Sequence, residues 1–228
     1  MNDTKLVKDS WNNVYQSGDK YKGESPIPFT KTIVDTLRIH NPKTGKGLYI
    51  GCGNGRNYIP LVDQGLDLIG LDISDTALKE ISNLRPECSD KLVASSFSDY
   101  YSTELFDYVI AIQVFQHGNY DEVKKNFQKV AGALNPGGLF FLRNRSTESI
   151  LDEEYELIER TSNGGFTIRY LSGSKRGLEI HFLSEGEIDE LINVQFKPLI
   201  SPYLVRTARK APKQGEAIHW EGIWQKQA

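Results

Sequence analysis

The stretch from Gly47 to Asn57 constrains the fold most, because a short apolar run leads straight into a loop of alternating glycines. It reads GLYIGCGNGRN and places glycines at 51, 53 and 55. Glycine is needed where the backbone takes a positive φ or where a ligand must approach with no Cβ in the way. Ligands of open parallel sheets bind beyond the carboxyl ends of the strands. The stretch therefore predicts a buried strand followed by a ligand-binding loop.

Strands and helices alternate around this loop. Apolar runs predict five strands, over 47–50, 66–74, 91–95, 106–115 and 139–144. Helical spacing, with Ser74 as an N-cap and the NPGG terminator at 135–138, predicts helices over 30–39, 57–65, 74–84 and 120–134. This rhythm predicts a Rossmann-like α/β fold, a mostly parallel sheet with helices on both faces.

The pattern changes after the fifth strand. We expect a helix over 148–160, a hairpin over 166–183, a helix over 184–192 opened by a capping box of Ser184 and Glu187, and two final strands over 198–209 and 217–226. A tight connection between the final strands makes the last one antiparallel. The sequence thus predicts seven strands in one domain over 1–228, with an N-terminal lid (1–30) and a helix-plus-hairpin cap inserted at 146–183.

Composition excludes several classes. No apolar run is long enough to span a bilayer, and the polar N-terminus lacks a signal-peptide core, which predicts a cytoplasmic protein with no membrane partner. The net charge of −3 argues against a dedicated nucleic-acid binder. Cys52 and Cys88 have no metal-ligand spacing, so no metal is expected. The oligomeric state stays open.

An acidic residue stands where a cofactor's ribose would need it. Asp72 ends the second predicted strand, beside the loop of the first, and can accept hydrogen bonds from both ribose hydroxyls. Loop and acid together predict an adenosine-bearing cofactor. Nicotinamide sites use G-x-G-x-x-G, whereas the G-x-G-x-G spacing of Gly51, Gly53 and Gly55 favours S-adenosylmethionine.

Longer stretches strengthen this interpretation. LYIGCGNGRNYIPLVDQGLDLIGLDIS (48–74), FDYVIAIQVFQHG (106–118) and FQKVAGALNPGGLFFL (127–142) resemble class I S-adenosylmethionine-dependent methyltransferases. Within that family, WNNVYQSG (11–18) and the final strand are similar to small-molecule enzymes of the tellurite-resistance and thiopurine type. The resemblance implies S-adenosyl-L-methionine as cofactor and S-adenosyl-L-homocysteine as product.

The resemblance also implies the residues of the site. The methionine part of the cofactor would lie along the glycine loop, the ribose at the acid, the adenine near the third strand, and two aromatic residues would form the lid. The expected cofactor-binding residues are Trp11, Tyr15, Gly51, Gly53, Asn54, Gly55, Asn57, Asp72, Ile73, Ser96, Phe97 and Gln113.

Two positions depart from the family pattern. Tyr49 stands where an acid is usual, and the stretch after the third strand offers Ser95 and Ser96 where an acid is frequent, with Asp99 displaced. These changes leave two alternatives open, an altered cofactor pose or a protein that binds the cofactor poorly.

No catalytic residue is obvious, because methyl transfer depends largely on alignment and needs a base only for a protonated nucleophile. His117 is a candidate base, with a packing role as the alternative. Arg143 is a candidate anchor for an anionic group, with a surface ion pair as the alternative. Tyr21 and Asn144 are candidate substrate contacts. A small-molecule acceptor is the first hypothesis; RNA or protein methylation, or a non-catalytic cofactor-binding partner, remain alternatives.

Overall fold

The computed structural model describes residues 4–17, 23–40, 45–151, 153–192, 195–209 and 215–227. Its helices are α1 (Thr4–Gln16), α2 (Phe29–His40), α3 (Tyr58–Asp63), α4 (Asp75–Leu84), α5 (Tyr120–Ala133) and α6 (Glu185–Ile192). Its strands are β1 (Lys46–Ile50), β2 (Asp67–Asp72), β3 (Leu92–Ala94), β4 (Phe106–Ile112), β5 (Leu134–Arg145), β6 (Tyr155–Arg160), β7 (Phe166–Tyr170), β8 (Glu179–Phe182), β9 (Phe196–Ala208) and β10 (Glu216–Lys226). Within the described ranges, no helix is long and apolar enough to cross a membrane.

Seven strands form the main sheet, in the order β3-β2-β1-β4-β5-β10-β9. β1, β2 and β3 pair in parallel, whereas β10 is antiparallel to both β5 and β9. The predicted Rossmann-like fold class, with an antiparallel last strand, is confirmed.

The chain forms two compact units, each described by itself below. The glycine-loop unit comprises residues 3–110 and 133–138, and the C-terminal unit comprises mainly residues 111–132 and 139–228. The prediction of a single methyltransferase domain over 1–228 stays a prediction.

The first strand is apolar on both faces, as a central parallel strand must be. Leu48, Tyr49 and Ile50 are almost completely buried. The parallel register pairs Ile50 with Leu71. The glycine loop therefore starts beside the carboxyl end of β2, where Asp72 lies.

Two helix starts are fixed by the side chains that the sequence predicted. The Ser74 hydroxyl accepts a hydrogen bond from the backbone N–H of Ala77 at 3.2 Å, which caps α4. In α6, Glu187 N–H donates to the Ser184 hydroxyl at 3.2 Å, and Ser184 N–H donates to the Glu187 carboxylate at 3.1 Å. This reciprocal pair is the predicted capping box.

The helix predicted over 148–160 is wrong. Residues Tyr155–Arg160 form β6, which pairs antiparallel with β7, and Leu157 lies opposite Ile168. Local Glu and Leu content favours a helix, but pairing with a strand further along the chain overrides it. The predicted hairpin of β7 and β8 is confirmed. The helix-plus-hairpin cap is therefore corrected to a three-stranded sheet, β6-β7-β8.

The sequence interpretation also missed α1, within the segment predicted only as a lid. Val14 and Tyr15 are both about nine-tenths buried. Val7, Trp11, Val14 and Tyr15 recur at helical spacing, a signal that the surrounding polar residues obscured.

At the other edge of the main sheet lies β9, which pairs on one side with β10. Pro198 and Pro202 lie within it. Proline is tolerated on edge strands because it has no N–H to donate.

Candidate functional site

The glycine loop takes the left-handed backbone conformation that its sequence requires. The φ angles of Gly51, Gly53 and Gly55 are 69°, 56° and 91°. The loop is tied to the neighbouring strand, because the N–H groups of Gly51 and Cys52 donate to the carbonyl of Leu71 at 2.7 and 3.1 Å. The turn is therefore fixed before any ligand arrives.

Asp72 closes the other side of this turn. Its Oδ2 accepts from the N–H of Gly53 at 2.7 Å, and its Oδ1 accepts from the N–H of Ser74 at 2.9 Å. Burial raises the pKa of Asp72, while these backbone donors oppose the rise. The backbone N–H of Ile73 also donates to this carboxylate, which has about four lone pairs in all. The geometry brings the predicted loop and acid together and leaves the acid able to accept more hydrogen bonds.

Tyr15 of α1 lies against the loop. A Cβ on Gly53 would meet the Tyr15 hydroxyl at 2.6 Å, so the absence of a side chain at position 53 makes room for this phenol. The rings of Trp11 and Tyr15 lie 6.0 Å apart, centroid to centroid. The two predicted lid aromatics therefore lie together, and Tyr15 contacts the glycine loop.

Asn12 fastens α1 at a place that sequence reasoning missed. Its Oδ1 accepts from the Ser74 hydroxyl at 2.7 Å and from the N–H of Thr76 at 3.4 Å, and Lys8 pairs with Asp75 at 2.6 Å. Asn12 thus helps to cap α4 from another helix. Lys8 and Asn12 are four residues apart and so lie on the same face of a helix. This spacing could have indicated a common contact surface, but the helix itself was not predicted.

Replacing Asn12 by alanine should loosen α1, because the lost acceptor is part of a helix cap. We expect the free energy of unfolding to fall by about 1 kcal/mol, the usual cost of removing a cap residue. We also expect faster amide hydrogen exchange in α1. Asn13→Ala is the matched control, since Asn13 is an exposed neighbour on the same helix. Equal exchange in the two variants would remove Asn12 as the fastening residue.

The remaining polar loop residues have protein partners. Asn54 Nδ2 donates to Glu80 at 3.1 Å, and Asn57 Oδ1 accepts from the N–H of Ile27 at 3.0 Å. Tyr49 is buried, and burial raises its pKa despite a hydrogen bond with Asn57. The position where relatives carry an acid is therefore occupied by a neutral phenol.

The segment after β3 brings an acid back to the serine that the sequence singled out. The Ser96 hydroxyl donates to Asp99 Oδ2 at 2.7 Å and accepts from the N–H of Asp99 at 3.2 Å. Phe97 is buried, and Ile73, which follows Asp72, is half-buried. The displaced acid is thus part of the expected adenine segment.

In the C-terminal unit, Arg143 already has a carboxylate partner. It forms an ion pair with Glu221, and their side chains are 6% and 5% exposed. Glu221 also accepts from the Tyr203 hydroxyl at 2.8 Å. The pair is buried in the unit and is not the surface ion pair of the alternative, and the anchor role of Arg143 stays a prediction. The second Arg143 contact is with His219, at 3.3 Å from Nη2 to Nδ1, and the Gln113 amide lies 2.8 Å from His219 Nε2.

Asn144 and His117 have different surroundings. Asn144 is fully buried, and within the described part of the chain neither atom of its amide has a hydrogen-bond partner. His117 is half-buried, and its N–H donates to the carbonyl of Val114 at 3.2 Å. Tyr21 lies outside the described residues. The roles expected for these residues stay predictions.

A second buried polar cluster surrounds His181. The ring lies 2.8 Å from the Thr167 hydroxyl and 3.1 Å from Glu187. Burial alone would raise the pKa of Glu187, but hydrogen bonds from His181 and Thr161 lower it. The Thr167 hydroxyl is fully buried and donates to Glu159 at 2.7 Å, so it has no access to a substrate and is not a nucleophile. The cluster joins β7, β8 and α6.

Comparisons with known proteins agree with this geometry. Residues 48–140 match the methyltransferase domain family model. Over 136 residues the chain is 32% identical to glycine N-methyltransferase of Mus musculus, an alignment that covers 52% of this chain and 46% of that protein. The chain thus spans less than half the length of this curated relative.

Two solved structures share the fold over nearly the whole chain. One is 1,6-didemethyltoxoflavin-N1-methyltransferase of Burkholderia thailandensis, bound to 1,6-didemethyltoxoflavin and S-adenosylhomocysteine, with a TM-score of 0.69, 18% identity, and 98% and 88% of the two chains covered. The other is magnesium protoporphyrin IX methyltransferase of Synechocystis PCC 6803, bound to SAM, with a TM-score of 0.66, 14% identity, and 99% and 98% covered.

The narrower likeness to tellurite-resistance enzymes is not established by these comparisons. The family as a whole uses S-adenosylmethionine and releases S-adenosylhomocysteine. Residues 48–140 are thus similar in sequence to the methyltransferase domain family, and the chain shares its fold with these two methyltransferases.

Proposed function

We propose that this protein transfers a methyl group from S-adenosylmethionine to a small-molecule acceptor. The observation that carries the proposal is the pairing of Asp72 with the positive-φ glycine loop, since Gly53 donates to Asp72 at 2.7 Å. A carboxylate with spare lone pairs beside a loop without side chains suits a ribose and an extended methionine chain.

The cofactor-binding set follows from this pairing. Asp72 accepts from the ribose hydroxyls, and Tyr15 and Trp11 cover the loop from α1. Ile73 and Phe97 offer apolar surface for the adenine, and Ser96 with Asp99 offers polar partners. The remaining members of the expected set are Gly51, Gly53, Asn54, Gly55, Asn57 and Gln113.

The chemistry requires little from the protein beyond alignment. Bound S-adenosylmethionine would supply an electrophilic methyl group attached to a sulfonium sulfur. After transfer of the methyl group, that sulfur leaves as the neutral thioether of S-adenosylhomocysteine. The protein holds the nucleophile in line with that methyl and excludes water, and proximity supplies much of the rate. His117 takes a proton where the acceptor carries one.

The basic residues argue for a small acceptor over RNA or protein. The alternative needs an exposed basic rim built from Arg143, Arg145, Lys175, Arg176 and Arg206. Arg143 and Arg145 are buried, and Arg206 pairs with Glu148 and Glu216. Much of the positive charge of such a rim is therefore buried or already paired, and it is not available to bind a polyanion such as RNA. The toxoflavin and protoporphyrin enzymes of the same fold also act on small molecules.

Calorimetry with S-adenosylmethionine and S-adenosylhomocysteine tests the cofactor part. We expect both to bind, and we expect Asp72→Ala to weaken binding by about 1–3 kcal/mol, the cost of unpaired buried polar groups. Asp67→Ala is the matched control, because Asp67 lies at the other end of β2 and pairs with an exposed lysine. An unchanged dissociation constant in Asp72→Ala contradicts the assignment.

A screen with radiolabelled cofactor tests the acceptor part. Counts are separated into small-molecule, RNA and protein fractions, and we expect them in the first. Counts in RNA or protein would overturn the acceptor class but keep the enzyme. Binding of cofactor without transfer to any fraction would favour a non-catalytic binding protein, an alternative that the neutral phenol at Tyr49 supports.

A further inference from the structure

Gln113 has a strained backbone in the C-terminal unit. Its φ is 55°, and among the described residues it is the one non-glycine residue with a positive φ. This conformation costs about 1–2 kcal/mol for a residue with a Cβ. The N–H of Gln113 donates to the carbonyl of Arg143 at 2.7 Å, which helps to hold it. Backbone strain of this kind persists only where the surrounding structure holds the residue in place, and such residues cluster at functional sites.

Its side chain is fixed by His219, whose hydrogen-bond roles follow from Arg143. Arg143 Nη2 lies 3.3 Å from Nδ1 of His219, and a guanidinium can only donate. Nδ1 therefore accepts, and the neutral ring carries its proton on Nε2. The side-chain nitrogen of Gln113 is placed 2.8 Å from Nε2 of His219. Because two N–H groups cannot hydrogen-bond to each other, the Gln113 amide has to be turned over relative to this placement, which makes its carbonyl oxygen the acceptor. The amide N–H groups of Gln113 then point away from His219.

The charges around His219 keep the ring neutral. Burial and, to a smaller extent, the nearby cations Arg143, Arg145, Lys175 and Arg209 together lower the pKa of His219 to about 2. Glu221 balances the charge of Arg143 and also accepts from Tyr203. The donor direction from Arg143 through His219 to Gln113 is therefore the same over the neutral pH range.

We propose that His219 is a positioning residue, which holds the Gln113 amide so that its N–H groups face the ligand and the ligand atom opposite them is a hydrogen-bond acceptor. Gln113 is half-buried, so the residue keeps some solvent-accessible surface. The inference rests on the proposed methyl transfer for the identity of that ligand. The atom with the lone pair belongs either to the cofactor or to the methyl acceptor, and the experiment separates the two.

The tautomer of His219 is tested without any activity. Nitrogen-15 NMR of the ligand-free protein distinguishes protonated from unprotonated ring nitrogens. The chain has four histidines, so the spectrum of His219→Gln assigns the signal. We expect a proton on Nε2 and none on Nδ1 from about pH 5 to about pH 8. A proton on Nδ1, or a charged ring in that range, overturns the proposal even if the protein is a methyltransferase.

Two variants of His219 test the effect on ligand. His219→Gln keeps an N–H near the position of Nε2, whereas His219→Leu has no donor. We expect His219→Leu to weaken either the cofactor Kd or the acceptor KM about tenfold, the loss of roughly one hydrogen bond. His219→Gln should stay within about threefold of the wild type. A purely structural role predicts equal losses, and that result contradicts the proposal.

Gln113→Glu tests the donor itself, because a carboxylate can only accept. We expect the same loss as in His219→Leu, and no further loss when the two changes are combined. A higher cofactor Kd would show that the hydrogen-bond acceptor facing Gln113 belongs to the cofactor. A higher KM for the methyl acceptor alone would show that it belongs to the methyl acceptor. Wild-type behaviour of Gln113→Glu refutes the proposal, whereas a wild-type protein that binds no cofactor refutes the proposed function.

Discussion

Replacing Glu221 by alanine is expected to lower the free energy of unfolding by about 3–5 kcal/mol, the cost of leaving one member of a buried ion pair alone. Glu221 and Arg143 are both at least nine-tenths buried, so solvent cannot replace the lost carboxylate. The Tyr203 hydroxyl loses its acceptor as well. Urea unfolding of the wild type and the variant measures the difference.

Glu216→Ala is the matched control for this prediction. Glu216 lies on the same strand, β10, but pairs with Arg206, and both side chains are about half exposed. Exposed pairs contribute about 0–1 kcal/mol, so this variant should remain close to the wild type. The double change Arg143→Met with Glu221→Leu removes both charges and should recover most of the loss. Equal effects of Glu221→Ala and Glu216→Ala would contradict the prediction.

Replacing Gly53 by alanine is expected to raise the cofactor dissociation constant about five- to thirtyfold, since a positive φ costs an L-residue about 1–2 kcal/mol. The φ of Gly53 is 56°, and the added Cβ would meet the Tyr15 hydroxyl at 2.6 Å. The Tyr15 side chain, the loop or α1 has to move. Movement of the loop also removes the hydrogen bond from Gly53 to Asp72. Calorimetry measures the change.

Two further variants separate the causes. Gly65→Ala has a φ of 86° at a position with no atom within 4 Å of the new Cβ, so it tests strain alone in the same unit. Tyr15→Phe combined with Gly53→Ala removes the clashing oxygen and leaves the ring carbon at 3.6 Å, an ordinary contact. Cofactor binding by Gly53→Ala as tight as in the wild type would exclude the loop from the cofactor site.

The sequence predicts the pairing of the glycine loop with Asp72 because both lie at the ends of adjacent parallel strands. That relation needs no side-chain detail, only the βα alternation and the direction of the strands. The caps at Ser74 and Ser184 are equally local, since each depends on residues within one helical turn. Features of this kind are accessible without coordinates.

Other features depend on contacts between segments that are distant in sequence. The strand Tyr155–Arg160 exists because β7 pairs with it, although its own composition favours a helix. The contact of Arg143 with Glu221 requires the register of β5 against β10, which places these residues opposite each other. His219 and Glu221 are two residues apart on the predicted last strand, but neither their partners nor the backbone conformation of Gln113 follows from that spacing.

The edge strand β9 has a consequence for how copies of this molecule meet. Pro198 and Pro202 have no amide N–H, so two positions of this edge strand cannot donate a hydrogen bond. A neighbouring chain that tried to extend the sheet there would find gaps in the ladder of hydrogen bonds. We therefore do not expect copies of this protein to associate edge to edge through β9 at high protein concentration.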